Sequence, residues 1–266
     1  MSEATLQLLA GDLAHDMLVV GRVVLVLGEE PVTLELGVPP GPVGFEDLLP
    51  ILHGLTDFVV DRGVAAAEAA GRTISCRAGC GACCRQLVPV SQAEARALAA
   101  LVAAMPEPRR DEIRRRFDAA LRALHAGGVV TEIDAARDDT SGAAKDLGMR
   151  YFRQGVACPF LEDEACSIHP DRPLSCRQYL VTSPAAHCAS PSLATIEMVT
   201  LPARPAQALL LADSEDAGAT WMPLVYALGY ADEVPARARV RIAPDILRDV
   251  FSRFQDAGDL RKVSIA

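Results

Sequence analysis

The residues of this chain best able to do chemistry are its eight cysteines, and their spacing is uneven. Four fall in the run Cys76-Arg-Ala-Gly-Cys80-Gly-Ala-Cys83-Cys84. Three more, Cys158, Cys166 and Cys176, lie in the run CPFLEDEACSIHPDRPLSC. Thiols packed this closely must be held apart, oxidised or bound to something. Thiolate is the preferred ligand of soft metals, so the pattern points to a metal centre.

Two kinds of centre fit. A structural zinc site takes two short cysteine pairs, each presenting its thiolates from one turn. An iron–sulfur cluster takes three cysteines from a compact loop and a fourth from elsewhere. Gly79 and Gly81 flank Cys80 and would let the backbone turn so that neighbouring sulfurs converge. Seven or eight thiols exceed one tetrahedral site, which leaves room for two metals, or one cluster with spare thiols. Arg77, Arg85 and Arg177 each follow a cysteine directly. Four thiolates around a dipositive centre carry a net charge of about -2, which guanidinium groups would stabilise. The same three arginines read equally well as surface residues.

The run C-x3-C-G-A-C-C, followed by CPFL, CSIH and RPLSCRQY, resembles the YkgJ-type cysteine cluster family, named after a CxxCxxCC motif. The resemblance covers about residues 70–190 and implies a zinc- or iron-chelating domain. It implies the ligands Cys76, Cys80, Cys83, Cys84, Cys158, Cys166 and Cys176, with an iron–sulfur cluster or zinc as the bound group. Cys188 lies outside the strongest motifs and His169 is the one histidine inside a cysteine block. Some relatives have been described as iron–sulfur oxidoreductases.

The sharpest rival is a radical-SAM enzyme, because Cys76, Cys80 and Cys83 have C-x3-C-x2-C spacing. Against it, Ala82 stands where that motif carries an aromatic residue, and Cys84 and the second block would be unexplained. The alternating strands and helices of its barrel are also not expected after the motif. A structural zinc scaffold or interaction module is the other alternative, and a disulfide scaffold ranks third.

Composition narrows the class. The chain has 266 residues, half of them hydrophobic, and a net charge of -9. That length buries a real core without disulfide staples. The negative charge argues against nucleic acid as a partner. The basic run Arg109 to Arg116 includes Asp111 and Glu112 and reads as a solvated helix face. No secretory signal is read in the first sixteen residues, and the apolar stretch LVVGRVVLVL is interrupted by Arg22 and too short to span a bilayer. The expectation is a cytoplasmic protein with reduced thiols, no membrane partner and a metal as its ligand.

The elements that must position these thiols follow from periodicity. Residues 17–27 and 32–38 read as a β-hairpin, and the Pro/Gly-rich run 37–44 as a boundary. Leu48, Leu49, Leu52, Leu55 and Val59 define a helix ending at Gly71. Ser91 and Glu94 form a capping box opening a helical hairpin over 91–125, with Leu98, Leu101, Val102 and Met105 continuing the buried stripe and Ile113, Phe117, Leu121 and Leu124 marking the second helix. Residues 127–142 read as a connection, 143–154 as a helix, and Pro173 as the start of a short helix carrying Cys176. Farther on, 194–201 reads as a strand and 203–212, 219–230 and 244–257 as helices. The expected fold is α+β and mainly α-helical, with an irregular, metal-centred cysteine core. It divides into an N-terminal hairpin extension (1–44), the cysteine-cluster domain (45–190) and a C-terminal α/β extension (191–266) packed on the same core.

Overall fold

The structure is a computed structural model describing residues 4–11, 18–27, 30–137, 146–192, 195–214, 221–233 and 240–256. β2 (Val19–Leu27) and β3 (Glu30–Val38) pair antiparallel, as the sequence predicts, and Gly28 and Glu29 between them lie outside the described residues. β1 (Ala4–Leu9) pairs in parallel with β3, so the hairpin becomes a three-stranded sheet of order β1-β3-β2. Alternation places Val32, Leu34, Leu36 and Val38 of β3 on the buried face.

β4 (Pro42–Val43) leads through a 3₁₀ turn at Glu46–Leu48 into α1 (Leu49–Ala69). The five residues read as one helical stripe, Leu48 to Val59, are all buried. The helix stops at Gly71, whose φ of 75° is left-handed, with Arg72 N–H bonded to Ala67 O and Gly71 N–H to Glu68 O. These two bonds make a Schellman end.

β5 (Pro89–Val90) precedes α2 (Gln92–Ala104), whose first turn carries the expected Ser91–Glu94 capping box. α3 (Arg109–Ala126) completes the helical hairpin, burying Ile113, Phe117, Ala120 and Leu124, while Leu121 is half-buried. The connection expected over 127–142 is corrected in part. α4 (Val129–Arg137) is a helix, because Val129 and Ile133, one turn apart, are both buried. α5 (Leu147–Arg153) follows, and residues 143–145 of its expected span lie outside the described residues.

The second cysteine block holds β6 (Leu161–Glu162), β7 (Ala165–Cys166) and α6 (Leu174–Arg177), and α7 (Ala185–Cys188) comes next. Among the described residues, which exclude 194, the strand expected at 194–201 reduces to one bridge, Val181 to Met198, flanked by the bonds Thr182 N–H to Glu197 O and Val199 N–H to Leu180 O. α8 (Pro205–Asp213), β8 (Met222–Pro223), α9 (Ala227–Glu233), β9 (Arg241–Ile242) and α10 (Ala243–Asp256) follow among the described residues, β8 pairing with β5 and β9 with β4. The fold is mainly α-helical with small sheets. Among the described residues, the strand–helix alternation of a radical-SAM barrel is not found.

Among the described residues, three apolar clusters make the core. The first joins the N-terminal sheet to α1, α8 and α10 and includes Leu174. The second packs α2 and α3 on Phe160, Ile168 and Leu224, with Phe117 edge-on to Phe160 at 5.4 Å between ring centroids. The third gathers Leu87, Leu124, Ile133 and Tyr151. Leu87, Phe160 and Leu174, each near a cysteine in sequence, belong to different clusters, so the cysteine segments run where the three meet.

Candidate metal centre

Cys76 lies on an extended stretch beside residues 181–182. Ser75 N–H donates to Val181 O at 2.9 Å, and Val181 N–H donates to the Cys76 Sγ at 3.4 Å. The chain then turns back through Gly79, whose φ of 79° favours glycine. Cys80 N–H closes that turn on Arg77 O. Cys83 and Cys84 sit on a 3₁₀ turn spanning Ala82–Arg85.

Gly81 serves a different purpose from the one its sequence position suggests. Its φ of -92° is open to any residue. A Cβ there would lie 2.6 Å from Leu161 Cδ1 and 3.0 Å from Glu164 O, so glycine permits close approach of the two cysteine blocks. The approach is fixed by Cys158 N–H donating to Cys84 O at 2.7 Å and by Arg85 clasping Glu164 at 2.6 and 3.0 Å. β6 and β7 are joined by Asp163 and Glu164, both at positive φ (47° and 59°), a two-residue turn that aims Cys166 back toward the first block. Two members of the acidic triplet Glu162-Asp163-Glu164 are in use. Glu162 receives Arg109 and Arg116 of α3 at 2.5 and 2.7 Å, and Glu164 receives Arg85.

The turn bearing Cys176 is anchored at four of its positions. Leu174 N–H donates to Glu94 Oε1 at 2.8 Å, and Ser175 Oγ donates to Pro89 O at 2.8 Å. Arg177 grips both Asp57 oxygens at 2.8 and 3.0 Å, and also donates to the carbonyls of Arg172 and Pro170. Gln178 bonds Gln207 and Ala206 of α8. Cys176 is therefore held by α1, α2, β5 and α8 together.

The thiols of these separate segments share one electrostatic neighbourhood, with Cys83 as its hub. The Cys83 thiol is hydrogen-bonded to that of Cys84, which together with burial pushes it far up. Its charge would in turn raise Cys76, Cys158, Cys166, Cys176 and Cys188. Burial is the largest cause for each of those five, and it carries Cys158 to about 12. Without a metal these thiols stay protonated at neutral pH; coordination to a dipositive ion reverses that.

Cys188, outside the strongest motifs, is the most enclosed of the described cysteines at 4% exposure. α7 packs against the Ala82–Arg85 turn, which puts Cys188 within the field of Cys76, Cys80 and Cys83. His169 is exposed on a 3₁₀ turn, and His187 Nδ1 contacts Thr195 O at 2.9 Å. Tyr179 receives a hydrogen bond from Gln86, and burial raises its hydroxyl. Sequence reasoning missed His53 on α1. Burial and the Arg177 cation lower it to about 4. Its signal was available only as a histidine one turn before Asp57.

All eight cysteines are free thiols. Their softness and number match zinc or iron. Among the described residues, no group of three or more His, Cys, Asp or Glu side chains is already arranged around an ion position. Among those residues, too, no helix is long and apolar enough to cross a membrane.

Fold and site together define a mainly helical protein in which a cysteine-rich segment runs where three apolar clusters meet. Residues 75–195 match the family model CxxCxxCC, described as a "putative zinc- or iron-chelating domain". That is the family which the cysteine motifs resemble, and its match ends beyond Cys188. Compared with the curated proteins and with the solved structures, the chain has no match.

Proposed function

We propose that this protein holds a thiolate-ligated metal through Cys76, Cys80, Cys83, Cys84, Cys158, Cys166 and Cys176, in a reducing compartment such as the cytoplasm. What carries the reading is the docking of the second cysteine block on the Cys83–Cys84 turn, which brings together segments more than seventy residues apart. Cys158, Cys166 and Cys176 reach it through the Cys84 carbonyl, the Arg85–Glu164 clasp and the anchored turn at 174–178.

The number of thiols favours an iron–sulfur cluster, which when bound would supply one-electron chemistry. Zinc is the second reading, favoured by the network of backbone and ion-pair ties around Cys176, which suits a closed structural site. Under either, the protein's part is to hold the donor segments in register and keep their sulfurs shielded from oxidants.

Titration of the reduced chain with Co²⁺ tests the ligand set, because thiolate coordination gives an intense charge-transfer band. Cys80→Ser is expected to lower both the band and the metal bound per chain, and Cys188→Ser to do so less. A Cys80→Ser protein with full metal content would contradict the assignment.

A further inference from the structure

We infer that β2 is a self-association surface, pairing antiparallel with β2 of a second copy about a two-fold axis at Val23. This association does not depend on the metal centre. β2 is an edge of the N-terminal sheet, and among the described residues its one strand partner is β3. It runs nine residues in unbroken register, about 30 Å. Edges of this kind invite another strand, and proteins that stay single blunt them with lysine, proline or a bulge. The segment VVGRVVLVL has none of these. Its single charge, Arg22, is turned to Glu35 on the neighbouring strand at 2.5 and 2.8 Å. The opposite edge of the sheet is covered instead: Leu8 of β1 is buried, and it lies so close to α1 that a Cβ at Gly54 would meet it at 2.6 Å.

The β2 edge is apolar on both faces. Val20, Val24 and Val26 stand 49%, 57% and 62% exposed on the outer face. On the other face, Val19 and Val23 line a groove of about 530 Å³ whose far wall is Leu247 and Phe251 of α10. The occupant is a second copy because the sequence of β2 complements itself. With Val23 opposite Val23, the outer row sets Val20 against the partner's Val26 and Val24 against the partner's Arg22, so no like charges meet. Parallel in-register pairing, or an antiparallel register with Arg22 opposite Arg22, would stack two guanidinium groups and is disfavoured. β2 has no acidic residue in a chain of net charge -9, so two copies approach along it without the repulsion they meet elsewhere. The two-fold axis makes every contact twice and joins the two sheets into one of six strands.

The test is sedimentation velocity of the full chain, kept reduced so that no disulfide links two copies, from about 1 to 100 µM. Val24→Lys, Val24→Glu and Gln7→Lys are run beside the wild type, with circular dichroism to check that each is folded. The wild type is expected to reach twice its 28.2 kDa at the upper concentrations. Val24→Lys sets a second cation against Arg22 at both symmetric contacts and should weaken association by about tenfold or more. Val24→Glu places a carboxylate there instead and should stay within about threefold of the wild type. Gln7→Lys, exposed on β1, should leave association unchanged. A wild type that is monomeric throughout overturns the inference and returns the edge to another occupant, a different protein or the chain's own residues 257–266. Val24→Lys dimers as tight as the wild type overturn it too, and equal weakening by lysine and glutamate overturns the register. Should Val24→Lys fail to fold, Val20→Lys, which buries its charge against the partner's Val26, is read in its place, and an unweakened dimer there has the same meaning.

Discussion

Glu94 accepts the Leu174 N–H at 2.8 Å through Oε1 while its Oε2 accepts the Ser91 N–H at 2.9 Å. One buried carboxylate thus caps α2 and pins the first residue of the turn that carries Cys176. Glu94→Ala would leave two buried N–H groups open, at about 1–3 kcal/mol each. The expected outcome is a clear drop in the urea midpoint of the metal-free chain, together with weaker metal binding. An unchanged midpoint would refute the pinning role.

The same carboxylate gives stability a pH dependence. Burial pushes Glu94 up to about 7 from its ordinary 4.5; the Asp213 carboxylate adds to this, and the Ser91 and Leu174 N–H groups oppose it. Between those values the folded chain keeps a proton that the unfolded chain releases. The Glu94 contribution is therefore complete below about pH 4.5 and lost as pH rises through 7. His53 runs the other way: burial first, then Arg177, lowers it to about 4 from 6.5, so its contribution is complete above 6.5 and lost as pH falls through 4. Stability profiles of wild type minus Glu94→Gln and wild type minus His53→Gln should slope in opposite directions; matching slopes would contradict both assignments.

Much of this was legible in the sequence where the signal is local. The cysteine blocks, the Ser91–Glu94 box, the stripe from Leu48 to Val59 and the stop at Gly71 are patterns within a few residues. What pairs across the chain was not. β1 is short and is defined by its parallel partner β3, and α4 has only Val129 and Ile133 to show its period. Half of Glu94's work was hidden because its second partner lies 80 residues away. Sequence adjacency left Arg85 and Arg177 open as arginines at the sulfurs or on the surface, whereas Glu164 and Asp57 claim them.

Gly81→Ala tests the contact between the blocks. The added Cβ meets Leu161, the Glu164 side chain and the Glu164 carbonyl, all within 3.0 Å, while the backbone angle itself is unstrained. A cost of about 1–3 kcal/mol is expected from overpacking, with weaker metal binding as the hairpin is displaced. Gly79→Ala, in open space at φ 79°, should cost about 1–2 kcal/mol through backbone strain alone. Equal metal affinity in the two variants would argue against a docking role for Gly81.

Arg177→Lys tests the anchor on α1. Lysine cannot hold both Asp57 oxygens and two loop carbonyls at once. A loss of about 1–3 kcal/mol is expected, measured by thermal or urea unfolding. Asp57→Asn, half-exposed, should cost less; a larger loss there than in Arg177→Lys would contradict the loop-gripping role.

The central claim is that the clustered thiols bind metal, and one preparation tests it directly. The chain is purified without oxygen, its zinc, iron and acid-labile sulfide are measured per protein, and its visible spectrum is recorded. Stoichiometric metal is expected, with broad absorption near ~400 nm and labile sulfide if the group is an iron–sulfur cluster, or a colourless zinc protein if it is structural. A folded chain with no bound metal and its cysteines paired as disulfides would contradict the account.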